Sequence, residues 1–474
     1  MEGLNTTTIL WVRNDLRLRD NQALAYAVSL GRPIVVVFIL EEESGDWVIG
    51  RASRWWLHYA LKDFQQKLKA IGLRLIFKKE KSVEYCLCDL IKSVKAECIV
   101  WNRRYDQTGM ATDLKVLKKM QSLGVKVETF IGNVLFEPGS ILNKSGKPFK
   151  VFTPFYNHVR DVVIDKSCLV KTRGLVGYDF SACLEELDSL DLLSGIKFDQ
   201  DLGSTWDPSI DGGERLLEKF VSDKIRVYSI TRDFPAEEGT SRLSPYLHFG
   251  QISVRQIYSV LSVLPSSVRD PYYRQIIWRE FASTILYFFP EIASLSFKKE
   301  FEHFGWKLNE ELLNCWREGR TGYPIVDAGM RELRETGWMH NRVRMIVASF
   351  LVKDLMMHWI EGARWFWDNL VDADLANNSF GWQWVAGSGL DASPFFRVFN
   401  PILQSQKFDP EGLYIKRYIP ELRKVPSKWI HAPWIVKDEV IDRRDVGDYP
   451  QPIVSHNASR INVLRAYNRM RDLK

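Results

Sequence analysis

A run of polar and aromatic residues from Asp372 to Trp384 is the segment of this chain best suited to chemistry. It reads DADLANNSFGWQW, with two carboxylates two residues apart, two amides and two tryptophans. Buried carboxylates and amides need partners, so the segment predicts ion pairs with arginines such as Arg344 or contact with a polar ligand. Two carboxylates such as Asp372 and Asp374 are also the residue types of a general acid/base pair for hydrolysis. No nucleophile or metal cluster accompanies them in the sequence.

A second candidate surface lies on a helix predicted to begin near Trp338. Asn341 or Arg342 follows at helical spacing and would share one face with Trp338. Met345 continues this face, whereas Arg344 points elsewhere. A ring, an amide and a soft apolar side chain suit a ligand pocket, although the same stripe is also typical of a helical core.

Hydroxyl side chains gather in GTSRLSPYLHFG, from Gly239 to Gly250. Thr240, Ser241 and Ser244 surround a predicted helix start, where hydroxyls and free backbone N–H groups can hold phosphate. Taken alone, the same pattern is that of an ordinary helix N-cap.

Tryptophan is unusually frequent, with 17 residues, 11 of them after residue 270. Trp306, Trp359 and Trp382 lie on three separate predicted elements. If they form a file from the interior to the surface they can relay electrons, whereas core packing is the default interpretation of any one of them.

The composition is that of a large globular protein. With 474 residues, 46% of them apolar, the chain predicts two domains and a linker. The longest apolar runs, such as PIVVVFIL, are far shorter than the roughly 20 residues of a membrane helix, so a soluble, cytoplasmic protein is expected. A net charge of +6 is compatible with a nucleic-acid partner without requiring one.

The cysteines and histidines lack the spacing of metal ligands. The sequence has no CxxC pair and no HExxH motif, so no metal site is predicted. The cysteines are interpreted as reduced, mostly buried thiols: Cys86, Cys88, Cys98, Cys168, Cys183 and Cys315.

Three regions with different patterns position these residues. Residues 1–135 alternate strand-like apolar runs (TTTILWVR, PIVVVFIL, LRLIFKK, ECIVWN and VKVETF) with helical segments, which predicts a parallel sheet covered by helices. This sheet lacks the GxGxxG of an ordinary dinucleotide site. Residues 136–210 lose periodicity and gather Gly, Pro, Ser and Asp, as expected of a connector. Residues 211–474 are a succession of amphipathic stretches, which predicts an all-α domain with a cavity rich in Trp and Arg.

Several motifs, in order along the chain, carry a resemblance to a known family. They are WVRNDLRLRDNQAL near the start, TSRLS at 240–244, WREF at 278–281, TGYPIVDAGMREL from 321, TGWMHNRVRM from 336 and DLANNSFGWQW from 374. Together they resemble the photolyase and cryptochrome family over nearly the whole chain. The resemblance implies an α/β antenna domain with a Rossmann-like parallel sheet, followed by an all-α domain that holds FAD in a folded conformation.

The resemblance also implies roles for individual residues, each at a position that matches the family pattern. FAD contacts are expected from Tyr228, Thr240, Ser241, Arg242, Leu243, Ser244, Tyr272, Gln275, Arg279, Trp338, Asn341, Arg344, Asp372, Ala373, Asp374 and Asn378. Catalytic roles are expected for Gln275, for Asn378 facing flavin N5, and for the photoreduction chain Trp382, Trp359 and Trp306. Contacts to the lesion or damaged DNA strand are expected from Arg232, Gln275, Trp278, Asn341, Arg342, Met345, Trp384, Arg397 and Gln404, with Trp278 and Trp384 as stacking walls.

Three of these positions bear on the activity within the family. An amide at Asn378 suits an anionic reduced flavin and favours repair over plant-type signalling, because a carboxylate there would oppose the negative charge. Photolyases of (6-4) products typically carry histidine where this chain has Met345, so a cyclobutane pyrimidine dimer is the expected lesion. Gln275 departs from this pattern, since members specific for cyclobutane dimers commonly have Glu there, whereas Gln is more familiar from (6-4) enzymes and animal cryptochromes.

The resemblance therefore predicts light-driven dimer repair by electron transfer from reduced FAD to a flipped-out lesion, in a monomeric DNA-binding protein associated with the nucleoid if bacterial. A (6-4) photolyase and a cryptochrome-type photoreceptor are the alternatives, and the latter would have a C-terminal extension and a different residue at position 378. Asp106 in WNRRYD lies near the acidic position of folate-binding members. Methenyltetrahydrofolate is accordingly the expected antenna and a deazaflavin the second choice, while a solvated loop residue is the plain interpretation of Asp106.

Overall fold

The computed structural model describes residues 6–42, 45–162, 164, 168, 170, 175–178, 186–196, 199–391, 396–435 and 446–472. The chain forms two compact units. The first unit comprises Met1–Lys197, Trp206–Ile225 and Ser241–Pro290, and the second comprises Phe198–Thr205, Arg226–Thr240 and Glu291–Lys474. The domain boundaries expected from the sequence stay a prediction, and Cys183 lies outside the described residues.

A five-stranded sheet forms the centre of the first unit. Its strands are β1 (Thr7–Val12), β2 (Ile34–Glu41), β3 (Leu75–Glu80), β4 (Ala96–Asn102) and β5 (Lys126–Phe130). They pair in parallel in the order β3-β2-β1-β4-β5. The inner strands are continuous apolar runs because helices cover both faces of the sheet, so no alternation with polar residues is needed. The predicted α/β fold is confirmed.

Helices account for most of the remaining described chain. Those up to residue 159 are α1 (Gln22–Ser29), α2 (Arg51–Ala70), α3 (Val83–Val94), α4 (Gln107–Ser122) and α5 (Phe152–Val159). Those from 199 to 318 are α6 (Asp199–Thr205), α7 (Ile210–Lys219), α8 (Tyr228–Thr231), α9 (Ser244–His248), α10 (Val254–Leu261), α11 (Ser266–Phe288) and α12 (Glu310–Glu318). Those beyond are α13 (Pro324–Thr336), α14 (Asn341–Ser349), α15 (Trp359–Asn369), α16 (Leu375–Ala386), α17 (Pro401–Phe408), α18 (Leu413–Tyr418), α19 (Ser427–Ile430) and α20 (His456–Asp472). The predicted helical C-terminal domain is confirmed, and no helix in the described ranges is long and apolar enough to cross a bilayer.

The motif WVRNDLRLRDNQAL forms a buried polar network inside the first unit. The Arg17 guanidinium donates to the Gly250 carbonyl oxygen at 2.9 Å. The Asp20 carboxylate accepts from the Ser253 hydroxyl at 2.6 Å and from Arg255 Nε at 3.2 Å. Because buried charges are tolerated when they are paired and hydrogen-bonded, these residues tie the segment after β1 to the start of α10. The motif is therefore explained by the fold of this unit.

Glu280 on α11 is a buried carboxyl group whose ionisation affects stability. It is 2% exposed, and its Oε2 accepts from the backbone N–H of Leu135 at 2.7 Å. Its Oε1 lies 3.2 Å from the Arg279 guanidinium. Burial raises the pKa of Glu280 to about 7, and the Arg279 charge and the backbone N–H donors oppose this rise only in part. The group therefore binds a proton more readily in the folded protein than in the unfolded chain.

We expect Glu280→Gln to flatten the dependence of unfolding free energy on pH. A folded-state pKa above the unfolded value means that the stabilisation is present at low pH and is lost as pH rises through about 7. Between pH 5 and pH 8 the unmodified protein should lose up to about 3 kcal/mol more than the variant. Denaturant unfolding of both proteins at the two pH values measures this. Glu97→Gln, which removes an exposed carboxylate from β4, should leave the pH dependence unchanged, and an equally unchanged Glu280→Gln would contradict the prediction.

Candidate active site

Helix α14 begins at Asn341, which corrects the predicted start near Trp338. Gly337 has a φ of +65° and ends α13, so Trp338 lies in the connector between the two helices. His340 is the N-cap of α14, and its Nδ1 accepts the N–H of Arg342 at 3.2 Å. Burial lowers the pKa of His340 to about 4, so the ring is neutral at pH 7 and keeps the lone pair that caps the helix. The face predicted for this helix consequently holds for the residues within α14 but does not include Trp338.

The first turns of α14 present an amide, a thioether and a guanidinium together. Asn341 is exposed, and its Nδ2 lies 4.0 Å from the Met345 sulfur. Arg342 Nη1 lies 3.8 Å from the same sulfur. The other end of the Arg342 guanidinium pairs with Asp233 at 2.9 Å and lies over the Phe408 ring. The structure thus brings together three of the predicted lesion or DNA contacts: Asn341, Arg342 and Met345.

The ion pair expected for the buried carboxylate of Asp372 is present. Arg344 Nη2 lies 3.1 and 2.9 Å from its two oxygens, and the Asp372 side chain is 3% exposed. Arg344 Nε also donates to the Met339 carbonyl oxygen at 2.7 Å. The guanidinium lies 5.8 Å from the centre of the Trp338 ring. A hydrogen bond to a backbone carbonyl and an ion pair on one guanidinium fix its orientation, so this pair is a rigid polar feature of the second unit.

Asp374 and Asn378 make different hydrogen bonds at the start of α16. Asp374 caps the helix, accepting the N–H of Asn377 at 2.9 Å, so it needs no cation to be satisfied. Asn378 is 9% exposed, and its Nδ2 donates to the Ala363 carbonyl oxygen of α15 at 2.9 Å. That bond orients the amide and leaves its oxygen as an acceptor.

Two further buried polar atoms on α16 have no hydrogen-bond partner within the described part of the chain: the Ser379 hydroxyl oxygen and Trp382 Nε1. Each such atom costs about 1–3 kcal/mol unless a ligand or water satisfies it. FAD has carbonyl oxygens, ring nitrogens and hydroxyls that can donate and accept. An amide, a hydroxyl and an indole N–H on one helix, beside the fixed pair of Arg344 and Asp372, therefore fit such a group.

The three predicted tryptophans of the relay lie on a connected set of elements in the second unit. Trp382 is buried, with its ring against Gly362 of α15, where an added Cβ would fall 2.0 Å from the ring. Trp359 is buried one turn earlier on α15, with Nε1 3.2 Å from the Ser296 hydroxyl. His358 bridges from Trp359 to Trp306, with ring centroids 5.6 and 5.3 Å apart. Trp306 is half-buried, so the order runs from the interior toward the surface.

Sequence reasoning missed two parts of this arrangement. Gly362 is needed because only a residue without a side chain lets the Trp382 ring approach α15 so closely. His358 follows the rule that a helix N-cap accepts backbone N–H groups, since its Nδ1 accepts from Ile360 at 3.2 Å. The sequence MHWIEGARW carries both residues next to a predicted relay tryptophan, but it gives no sign of ring contacts.

In the first unit, the predicted residues of α11 follow one another at helical spacing. The Tyr272 hydroxyl donates to the Ser241 hydroxyl oxygen at 2.9 Å, which links two predicted FAD contacts. Gln275 is half-buried, and its Nε2 lies 3.4 Å from the Pro271 carbonyl oxygen. Arg279 donates to the Asn133 carbonyl oxygen at 2.6 Å.

Trp278, a predicted stacking wall, has one face covered by the protein itself. Its ring lies parallel to that of Phe152, with centroids 3.5 Å apart and an interplanar angle of 5°. Arg274 in turn lies 4.8 Å from the centre of the Phe152 ring. The stack holds the plane of the Trp278 ring rigidly.

The remaining predicted residues fall into three groups. Arg242 has a φ of +54° and lies 4.4 Å over the Trp206 ring, next to buried Leu243 and to Ser244, the first residue of α9. Arg232 lies 5.4 Å over the Tyr228 ring, while Thr240 is half-buried and Ala373 is buried. Trp384 and Arg397 line one small cavity, while Arg397 and Gln404 line a larger one of about 480 Å³.

Asp106, the residue considered for an antenna, is the N-cap of α4. Its Oδ1 accepts the N–H of Gly109 at 2.7 Å. The carboxylate therefore has a structural role of its own, and its second oxygen is the one available for another contact.

Comparison with known proteins matches both halves of the chain. Residues 8–169 match the family model of DNA photolyase, and residues 272–469 match the FAD binding domain of DNA photolyase. The deoxyribodipyrimidine photo-lyase of Agrobacterium fabrum is 41% identical over 97% of both chains. Cryptochrome-2 of Arabidopsis thaliana is 36% identical over 99% of this chain and 80% of its own length.

A solved structure is similar over the same extent. The crystal structure of a bacterial class III photolyase from Agrobacterium tumefaciens superposes with a TM-score of 0.94 and 41% identity, covering 99% of this chain and 98% of that chain. An α/β unit, a helical FAD-binding domain, and relatives that match along almost their whole length all agree. The chain belongs to the photolyase and cryptochrome family.

Proposed function

We propose that this protein is a light-dependent lyase that repairs cyclobutane pyrimidine dimers in DNA. The observation that carries the proposal is the face of α14, where Asn341 and Met345 lie together and the histidine of the segment, His340, is buried, neutral and used as a helix cap. Ring opening of a cyclobutane dimer needs no acid at this position, whereas an exposed histidine there would suit (6-4) chemistry. Bound FAD supplies the light-excited electron and takes it back, so there is no net redox change.

Several residues proposed to contact FAD have fixed surroundings within their own unit. In the second unit, Arg344 and Asp372 provide a fixed ion pair and Asn378 an oriented amide. An amide is the favourable choice beside a negatively charged flavin ring, because a carboxylate there would repel it. In the first unit, the linked hydroxyls of Tyr272 and Ser241 offer polar contacts.

The surroundings and charges of several residues support their proposed contacts with the lesion and its strand. Trp278, held flat on Phe152, presents one aromatic face to an extruded base, and Trp384 is assigned the same role. Asn341 and Met345 contact the edge of the dimer. Positive side chains neutralise backbone phosphates and fix the register of the strand without reading sequence: they are Arg232, Arg342 and Arg397.

A (6-4) photolyase is the second candidate, and Gln275 is the residue that favours it. Glutamine keeps hydrogen-bonding reach but lacks the negative charge of the glutamate common in dimer-specific members. Met345 argues the other way, and we assign it the greater weight because it determines whether an acid is available. A cryptochrome-type photoreceptor ranks lower because Asn378 suits repair chemistry.

We also propose a light-harvesting cofactor, an oligomeric state and a location for the protein. Methenyltetrahydrofolate is the proposed antenna and a deazaflavin the alternative, while a photolyase of Sulfolobus tokodaii was solved with two FAD molecules. The protein is proposed to act as a cytoplasmic monomer on damaged DNA.

We expect Asn341→Ala and Met345→Ala each to weaken binding of dimer-containing DNA by about threefold to tenfold, as befits one lost polar or apolar contact. Undamaged DNA should be affected less, because both side chains are assigned to the lesion and not to phosphates. Equilibrium titration of the two duplexes measures the difference. Asn314→Ala removes an exposed helical amide elsewhere in the second unit and should change neither affinity. Equal losses on both duplexes would remove Asn341 and Met345 from the lesion contacts.

A further inference from the structure

The cavity of about 480 Å³ in the second unit has a wall with no role in the function proposed above. One side is formed by Arg397, Asn400 and Gln404, from the start of α17 and the segment before it. The other side is formed by three residues in the first two turns of α20: His456, Asn457 and Arg460. These three residues lie more than fifty positions further along the chain than the DNA contacts proposed for the opposite wall.

The charge of this cavity is positive and uncompensated. Arg397 and Arg460 are both exposed, and neither has an ion-pair partner among the residues that the structure describes. Among the described residues, no carboxylate lines the cavity. Arg342 and Arg344, by contrast, are paired with Asp233 and Asp372. Two unpaired guanidinium groups facing one cavity favour an anion with several acceptor oxygens.

The wall formed by α20 is held rigidly. His456 is 7% exposed, and its Nδ1 lies 2.6 Å from Asp354 Oδ1, a carboxylate buried beneath it. The backbone N–H of His456 donates to the Tyr323 hydroxyl oxygen at 3.1 Å. These two bonds fix the backbone of the first turn of α20, from which Asn457 and Arg460 line the cavity.

We infer that this cavity binds a backbone phosphate of the DNA, with Arg397 and Arg460 on opposite sides of it. The inference rests on the proposed function, because Arg397 is a DNA contact only within that proposal. It adds α20 to the DNA-binding surface and assigns to Arg460 a contact that is independent of sequence and of lesion. A phosphodiester fits the charge, and the amides of Asn400, Gln404 and Asn457 can donate to its oxygens.

The test is Arg460→Gln, measured by DNA binding over a series of salt concentrations. At about 0.1 M salt we expect binding to weaken by about fivefold to tenfold, equally for dimer-containing and undamaged duplexes, with the slope of log affinity against log salt reduced by about one. Arg469→Gln removes the same charge from an exposed position further along α20 and should leave the slope unchanged. Unaltered flavin absorption and melting temperature in both variants show that the fold is retained.

Three results would overturn the inference. The first is a salt slope for Arg460→Gln equal to that of the unmodified protein or of Arg469→Gln. The second is a loss confined to dimer-containing DNA, since a phosphate contact does not distinguish lesions. The third is saturable binding of inorganic phosphate that Arg460→Gln abolishes while DNA affinity stays unchanged, which would make this a site for a free anion. Failure of dimer repair itself would leave the binding measurement intact, so the two proposals can fail separately.

Discussion

Replacing Trp278 by alanine is expected to weaken binding of dimer-containing DNA by about tenfold to a hundredfold. Stacking of a base on an aromatic side chain contributes about 1–3 kcal/mol, and a dimer extruded from the helix has no neighbouring base to replace that contact. The Trp278 ring is held on Phe152 at a centroid distance of 3.5 Å, so its plane is set before DNA arrives. Fluorescence anisotropy with matched damaged and undamaged duplexes measures the loss, which should be small for undamaged DNA.

Trp278→Phe is the matched control for this experiment. Phenylalanine keeps an aromatic face on Phe152 and should retain most of the affinity for the dimer. If phenylalanine and alanine had the same effect, the ring face would not be the contact, and the role assigned to Trp278 would be wrong. A similar loss on undamaged DNA would instead point to a disturbed α11.

Replacing Trp306 by phenylalanine is expected to reduce photoreduction of oxidised flavin to a small fraction of the rate in the unmodified protein. Trp306 is the half-buried member of the file, in contact with His358, which contacts Trp359. A phenyl ring is much harder to oxidise than an indole, so the last step toward the surface should fail. Protein reduced chemically beforehand should repair dimers as well as the unmodified protein does, because repair returns the electron internally.

The control for Trp306→Phe is Trp429→Phe. Trp429 is half-buried beside Lys428 and is not one of the rings in contact through His358, which are those of Trp306 and Trp359. It should photoreduce normally under the same illumination. Undiminished photoreduction in Trp306→Phe would exclude Trp306 from the relay, and loss of repair by the pre-reduced variant would show a wider structural fault.

The sheet could be predicted from the sequence because its strands carry their own signal. Runs such as PIVVVFIL are apolar without alternation, which is typical of a strand that is buried on both faces of a sheet. The start of α14 differs from the predicted one because Gly337, whose positive φ ends α13, separates Trp338 from the helix despite its helical spacing. A histidine N-cap such as His340 is also a weaker sequence signal than Ser, Thr, Asp or Asn.

The candidate site was predictable where a residue cannot be buried alone. Asp372 required a cation, and Arg344 supplies it as expected. Contacts between rings distant in sequence were not predictable in this way, since nothing in the type of Phe152 indicates that it supports Trp278. The role proposed for α20 was not predictable either, because nothing in the sequence indicates that its residues line a cavity together with Arg397.

Repair of two DNA duplexes under blue light by the chemically reduced protein decides whether it acts on cyclobutane dimers. One duplex carries a cyclobutane thymine dimer and the other a (6-4) product. We expect restoration of the first duplex alone, because Met345 occupies the position where (6-4) chemistry needs an acid. Restoration of only the (6-4) duplex would mean that Gln275 was the better guide, and restoration of neither would contradict the assignment as a repair enzyme.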